Sequence, residues 1–304
     1  MRSKTRYRLE YWIARAFAFL TRLLPLPVAR FLGALVGQLA FSVLRIRRGV
    51  TLENLGHAFA ASRGQRELTR IGARCYRNLG LGTVEFCRFP TLTRRNLGRL
   101  LEIEGLEHCR QALARRRGVI ILSGHFGAWE FLGPAFALNG YPVDLFTRSQ
   151  RNPLFDELIS DNRGEVGARI QSTSRTPRGV IRSLRQNRLV VMLADQDAGR
   201  DGVFVSFLGR LASTPRGVAR FAIETDAAVL MSFVVRERGG RHRLIIHSPM
   251  EIPHTGDRDR DLLQILQTYT ACLETYVRAH PEQWFWPHRR WKTRPPTEGL
   301  SLNC

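Results

Sequence analysis

Three short runs of consecutive apolar residues limit what this chain can become. They cover residues 118–122 (GVIIL), 189–193 (LVVML) and 228–235 (AVLMSFVV). Each is too short for a core helix and rich in β-branched side chains. A strand that is apolar at nearly every position has no solvent face, so it must lie inside a sheet covered on both sides. Between these runs fall stretches with helical spacing, at 129–138, 153–163, 176–187, 214–224 and 257–279, with a further strand at 143–146. Residues 243–247 follow the Gly239-Gly240 turn and pair with the 228–235 run as a hairpin. The alternation predicts an α/β fold: a mixed central sheet with helices on both faces. A helix over 64–88 precedes it. No internal repeat or low-complexity tract appears.

The first 48 residues have another character. Tyr11 to Leu24 is apolar and aromatic, interrupted by Arg15 and Arg22. Pro25-Leu26-Pro27 breaks any helix. Phe31 to Leu44 is then uncharged and apolar over 14 residues, against the roughly 20 that a spanning helix needs. Arg45, Arg47 and Arg48 follow at once. The pattern predicts membrane-associated helices over 1–48, lying in the interface with arginines reaching head groups. A tilted span over 28–44 and plain packing on a soluble core are the alternatives. Residues 49–304 form the predicted catalytic domain.

The formal net charge is +21, which implies an anionic partner. Lys4 and Lys292 are the only lysines, so the charge is nearly all arginine. A GC-rich genome would produce that bias by itself, yet arginine also suits bidentate phosphate recognition. No zinc-finger, helix-turn-helix or RNP pattern supports nucleic acid. Cys75, Cys87, Cys109, Cys272 and Cys304 are odd in number, with no CxxC pair and no zinc-like spacing to histidine. They read as reduced thiols, and no metal or cofactor is expected. No signal peptide pattern is present.

Chemistry concentrates in Ser123-Gly124-His125-Phe126-Gly127-Ala128-Trp129-Glu130, directly after a buried strand. On one continuous helix His125 and Glu130 would sit about 140° apart and not meet. With His125 in a glycine-bounded turn and Glu130 in the first helical turn, the carboxylate can fold back onto the imidazole. Such a histidine takes a proton from a hydroxyl while the carboxylate fixes its tautomer. The helix start offers amides to an oxyanion. No GxSxG elbow is present, which favours direct attack by a substrate hydroxyl. A histidine that only satisfies a buried backbone group is the bland alternative. Its place at the C-terminal end of a strand, where α/β sheets bind ligands, argues for function. Phe126, Trp129 and Phe131 line an apolar groove or belong to the core, with core favoured for the last two.

The segment resembles the late acyltransferases of lipid A biosynthesis, the lauroyl and myristoyl transferases with an H-x4-D/E motif. Arg148 to Pro153 (RSQRNP) and Arg163 are similar to the family's Arg-x-x-x-Asn-Pro segment and downstream arginine. Asp195-Gln196-Asp197 and the GVFVSFLG of 202–209 are similar to its Asp-Gln and G-x-F-V-x-F-x-G segments. Thr214, Gly217 and Ala219 fit the helix after them. Trp284 to Pro295 (WFWPHRRWKTRP) resembles its C-terminal signature, and Glu53-Asn54-Leu55 with Ala58-Phe59 its N-terminal pattern. Ala128 and Ser206 depart from residues common in relatives, Asn and Pro.

The resemblance implies acyl transfer from acyl carrier protein to a hydroxyl of a glycolipid, a lipid A precursor, on the cytoplasmic face of the bacterial inner membrane. It implies His125 as base with Glu130 as partner. It also implies substrate-binding roles for Arg163, Asp195, Arg148, Asn152, Arg289 and Arg290. The other readings are an acyl-CoA-dependent enzyme, an acceptor such as a phosphoinositol mannoside, and a non-catalytic basic protein that binds membranes or nucleic acid. The Trp284, Trp286 and Trp291 cluster among arginines suits an anionic membrane interface at least as well as a stacking surface for single strands.

Overall fold

The computed structural model describes residues 2–172 and 177–296. Cys304 and the start of the helix expected at 176 lie outside them. Eleven helices and nine strands are present among these residues. The central sheet has seven strands in the order β1-β9-β8-β2-β5-β3-β4. These are β1 (Leu101–Glu104), β2 (Val119–Ser123), β3 (Val143–Thr147), β4 (Arg169–Ser172), β5 (Leu189–Leu193), β8 (Ala228–Arg236) and β9 (His242–Pro249). All neighbours run parallel except β8 and β9, which form the expected antiparallel hairpin.

Burial along the central strands explains their composition. Ile120, Leu122 and Val190 face one apolar core, while Val119, Ile121, Leu189 and Val191 face a second core across the sheet. Alternate side chains point to opposite faces, so a strand buried on both must be apolar throughout. Helices α9 (Pro177–Arg185), α10 (Gly217–Thr225) and α11 (Arg258–Ala279) contribute to the first core. Helices α6 (Leu106–Ala114) and α7 (Leu132–Ala137) contribute to the second, joined by α5 (Arg94–Leu100).

One local expectation shifts. The helix expected from 214 begins at Gly217, and Thr214 instead ends a strand. Thr214 precedes Pro215, whose ring disfavours the helical region for the residue before it. Strands β6 (Val203–Phe207) and β7 (Arg210–Thr214) form a separate hairpin. Its turn residues Leu208 and Gly209 both have positive φ, the geometry of a tight hairpin turn.

At the N-terminus, α1 (Arg2–Leu23) and α2 (Leu26–Ser42) are separated by the proline stretch as expected. Helix α3 (Arg48–Phe59) and the long α4 (Gln65–Cys87) follow. Helix α2 lies on α4 with backbones nearly touching: a Cβ on Gly80 would come within 1.9 Å of the Gly33 carbonyl oxygen. Helix α1 packs along α8 (Pro153–Gly164) and α4. No helix among the described residues is long and apolar enough to cross a membrane. Among the described residues, 14 of 15 exposed large apolar side chains lie between Leu9 and Ile46, the other being Leu263. An apolar surface this concentrated is unusual for a protein surrounded by water.

Candidate active site

Strands β2 and β5 are parallel neighbours, with Ser123 opposite Leu193. The ladder continues one step further through the Ala194 amide, which donates to the Ser123 carbonyl at 3.1 Å. Two residues past each strand end stand His125 and Asp195. They meet because their strands are adjacent, although 70 residues separate them. His125 Nδ1 lies 2.7 Å from Asp195 Oδ1, and the His125 backbone N–H donates to Asp195 Oδ2 at 2.8 Å. The indole N–H of Trp284 donates to the same Oδ2 at 2.9 Å. Asp195 is thus enclosed, 2% exposed, and all its near partners are donors.

The expectation that Glu130 orients His125 is corrected here. The carboxylate on the imidazole is that of Asp195. Glu130, in a 3-10 turn over Trp129–Phe131, is gripped instead by Arg163 from the last turn of α8. Arg163 Nε donates to Oε2 at 3.0 Å and Nη2 to Oε1 at 2.7 Å. This two-point pairing is the arrangement that best matches guanidinium to carboxylate.

The turn holding His125 is pinned from several sides. Gly127 has φ of +60°, and a Cβ there would stand 1.8 Å from the Val234 carbonyl oxygen. Only glycine fits. Gly124 does not share that left-handed conformation. The amides of Phe126, Gly127 and Ala128 donate to Gly124, Gln283 and Val234 carbonyls respectively. Those three amides are therefore already engaged and are not open to an oxyanion. The His125 carbonyl accepts from the Phe285 amide at 3.0 Å.

Charge follows this geometry. Burial works against the His125 imidazolium, but the charge and hydrogen bond of Asp195 outweigh it and raise the pKa above the ordinary histidine value. Burial also works against the Asp195 carboxylate; His125, its backbone N–H and Trp284 nevertheless pull its pKa down to about 2. The pair is therefore a charged carboxylate bound to Nδ1, with Nε2 as the remaining proton-accepting atom. The Gln196 amide lies 3.5 Å from Nε2.

Behind Trp129 and Phe285, which pack on the His125 ring, lies a cavity of about 350 Å³ that neither His125 nor Asp195 itself lines. Phe17 and Ala18 of α1, Leu79 and Phe86 of α4, and Leu158 and Ile159 of α8 give it apolar walls. Trp129, Glu130, Arg163 and Phe285 also line it. The rings of Trp129 and Phe285 stand 5.4 and 6.0 Å from the His125 ring. Trp129, expected in the core, lines this cavity; Phe131 borders it but is buried in the second core as expected, and Phe126 is fully buried in the first. The arrangement brings a proton acceptor, a fixed guanidinium and an apolar volume together.

The other expected substrate contacts fall elsewhere. Asn152 caps α8 through the Leu154 amide, and its amide group donates to Tyr7 and Glu10 of α1. Its work is to tie two helices. Arg290 is 1% exposed and donates to Ser213 and Thr214 of β7 while lying over the Phe207 ring; it is enclosed and cannot reach a ligand there. Arg148 and Arg289 are exposed and do not line the cavity. Trp284, Trp286 and Trp291 are buried, so the cluster read as a membrane-interface surface is interior packing around Phe207 and Phe59. Trp284 is the functional neighbour that spacing did not single out. No metal-binding group of His, Cys, Asp or Glu occurs among the described residues, and Cys75, Cys87, Cys109 and Cys272 are unbridged.

A family model described as bacterial lipid A biosynthesis acyltransferase matches residues 1–293. The chain is 27% identical to the lipid A biosynthesis lauroyltransferase of Escherichia coli K12 over 293 residues, covering 93% of this chain and 92% of that protein. It is 28% identical to the lipid A biosynthesis palmitoleoyltransferase of the same organism over 291 residues, 94% and 92% of the two chains. It is also 30% identical to the phosphatidylinositol mannoside acyltransferase of Mycobacterium tuberculosis over 214 residues, 68% and 66% of the two. The family resemblance read from the motifs thus extends over nearly the whole length.

Proposed function

We propose a reaction for a chain that belongs to the bacterial lipid A biosynthesis acyltransferase family: it moves a fatty acyl group from a thioester of acyl carrier protein to a hydroxyl of a lipid A precursor. In this reading His125 Nε2 takes the hydroxyl proton as the oxygen attacks the thioester carbonyl carbon. Asp195 holds Nδ1–H, keeps Nε2 free and stabilises the imidazolium that forms. The carbon–sulfur bond then breaks, and the imidazolium returns its proton to the departing thiolate. The products are an ester and a free thiol. Arg163, held by Glu130, carries the positive charge nearest the developing oxyanion. Glu130 thus acts through Arg163 and not through the histidine. The acyl chain occupies the apolar cavity.

The observation that carries this reading is the His125–Asp195 pair, whose imidazole packs against Trp129 and Phe285 of the cavity wall. The exposed apolar face between Leu9 and Ile46 supports attachment to the membrane interface, with residues 1–48 as the membrane-facing layer and the cytoplasmic face of the inner membrane as the location. The mycobacterial relative supports a second acceptor, a phosphatidylinositol mannoside.

The test uses the full chain in lipid vesicles, acyl carrier protein and CoA thioesters as donors, and each glycolipid as acceptor. Esterified lipid A precursor is expected, with acyl carrier protein the better donor. His125→Ala is expected to abolish transfer while vesicle binding remains. Undiminished transfer by that variant rules out the base assignment.

A further inference from the structure

The apolar cavity adjoins a second one of about 210 Å³, whose walls include Arg30, Arg88 and Arg99. The two cavities have two lining residues in common, Glu85 and Phe131. Glu85 is 3% exposed at its side chain and is held by Arg236, Arg30 and His242. Arg236 grips it at 2.8 and 2.7 Å, Arg30 Nε donates at 2.9 Å, and His242 Nε2 lies 3.2 Å away. Phe131 is 2% exposed. Its ring centre is 4.8 Å from that of His242 and 5.3 Å from that of Phe89. The partition is therefore one aromatic ring backed by a buried ion cluster.

We propose that Phe131 is a specificity-determining residue: its ring ends the acyl cavity and sets the longest chain the enzyme accepts. The proposal rests on the reading of the cavity as the acyl site. The ion cluster cannot yield, because displacing one partner leaves the other buried charges uncompensated. The ring is packed between Phe89 and His242, and a close-packed interior leaves no slack for added methylenes. A longer chain therefore has no volume to enter until the ring is removed. Truncating Phe131 joins the two volumes, whereas truncating Glu85 would break the cluster and the fold around it.

The experiment presents the full chain in vesicles with competing acyl carrier protein thioesters of increasing length and measures the products by mass spectrometry. Phe131→Ala and Phe131→Leu are compared with Ile159→Trp, which fills the cavity wall on α8. Each newly buried methylene favours the longer donor by about fourfold. Phe131→Ala is thus expected to raise the ratio of long to short product by about fifteenfold for two added carbons. Phe131→Leu moves it the same way by less, and decides the matter where the alanine variant does not fold. Ile159→Trp moves it toward shorter chains. If Ile159→Trp shortens the product while neither Phe131 variant lengthens it, the partition is wrong and the acyl cavity stands. If no variant changes chain length, the cavity is not the acyl site and both readings fall.

Discussion

Asp195 binds His125 twice, at the ring Nδ1 and at the backbone N–H, with 2.7 and 2.8 Å contacts to its two oxygens. One carboxylate therefore fixes both the position of the histidine's backbone and the orientation of its ring. Fixing the ring through Nδ1 leaves Nε2 as the only site for proton exchange.

Asp195→Asn separates shape from charge. The amide keeps the volume but favours the wrong imidazole tautomer, and turnover is expected to fall by about 10³–10⁴-fold, as in comparable dyads. The acid limb of the pH profile carries a second signature. Asp195 raises the His125 pKa, and the base works only when neutral, so wild-type activity is lost as pH falls through that raised value. Removing the charge lowers the pKa and moves the limb to more acid pH. A pH-rate profile with an unmoved limb would contradict the pairing.

The sequence made the sheet more legible than the site. The apolar runs at 118–122, 189–193 and 228–235 announced the strands β2, β5 and β8 because both their faces are buried. The four-residue strands β1 (LEIE) and β4 (RIQS) at the sheet edges carry charge and polarity and gave no such signal. The β6–β7 turn was hidden because Leu208, not Asn or Gly, takes the first of its two left-handed positions. His125 was readable from its place after a strand. Its partner was not, because contacts across neighbouring parallel strands leave no fixed spacing in the chain. Glu130, five residues away, was the nearest carboxylate in sequence but not in space.

Glu130 and Arg163 should behave as one unit. Glu130→Gln and Arg163→Lys each break the two-point pairing. Each alone is expected to lower kcat/KM by ten- to a hundredfold, roughly 1.4–2.7 kcal/mol. The double variant should be little worse than either single one, giving a coupling energy of about 1–2 kcal/mol in a double-mutant cycle. Additive losses would show that Glu130 acts independently of Arg163.

Trp284→Phe keeps an aromatic ring in the core and removes the indole N–H that Asp195 accepts at 2.9 Å. A hydrogen bond to a charged group contributes about 1.5–3 kcal/mol. The loss frees Asp195 to rotate and weakens its hold on His125, so kcat is expected to fall about tenfold. KM should stay within a factor of about two, since the indole lines no part of the cavity. Steady-state kinetics with saturating donor checks the split; a rise in KM with kcat unchanged would assign Trp284 to substrate binding.

Membrane attachment can be separated from folding because the apolar face is already exposed. Trp12 and Phe31 are 60% and 66% exposed and sit on α1 and α2. Inserting such side chains into lipid contributes about 1.5–3 kcal/mol each. Trp12→Glu with Phe31→Glu should therefore weaken binding to anionic vesicles by a hundredfold or more, about 3–6 kcal/mol. Thermal stability should barely change, because neither side chain packs inside the fold. Arg45 and Arg47 are exposed beside this face and Arg48 is half-buried; they add an electrostatic part that salt screens. At about 1 M salt the screening length is about 3 Å, so binding that survives there measures the apolar part alone. The wild-type chain should retain that part and the double variant should lose it. Equal retention by both in vesicle sedimentation would move the attachment site away from the N-terminal helices.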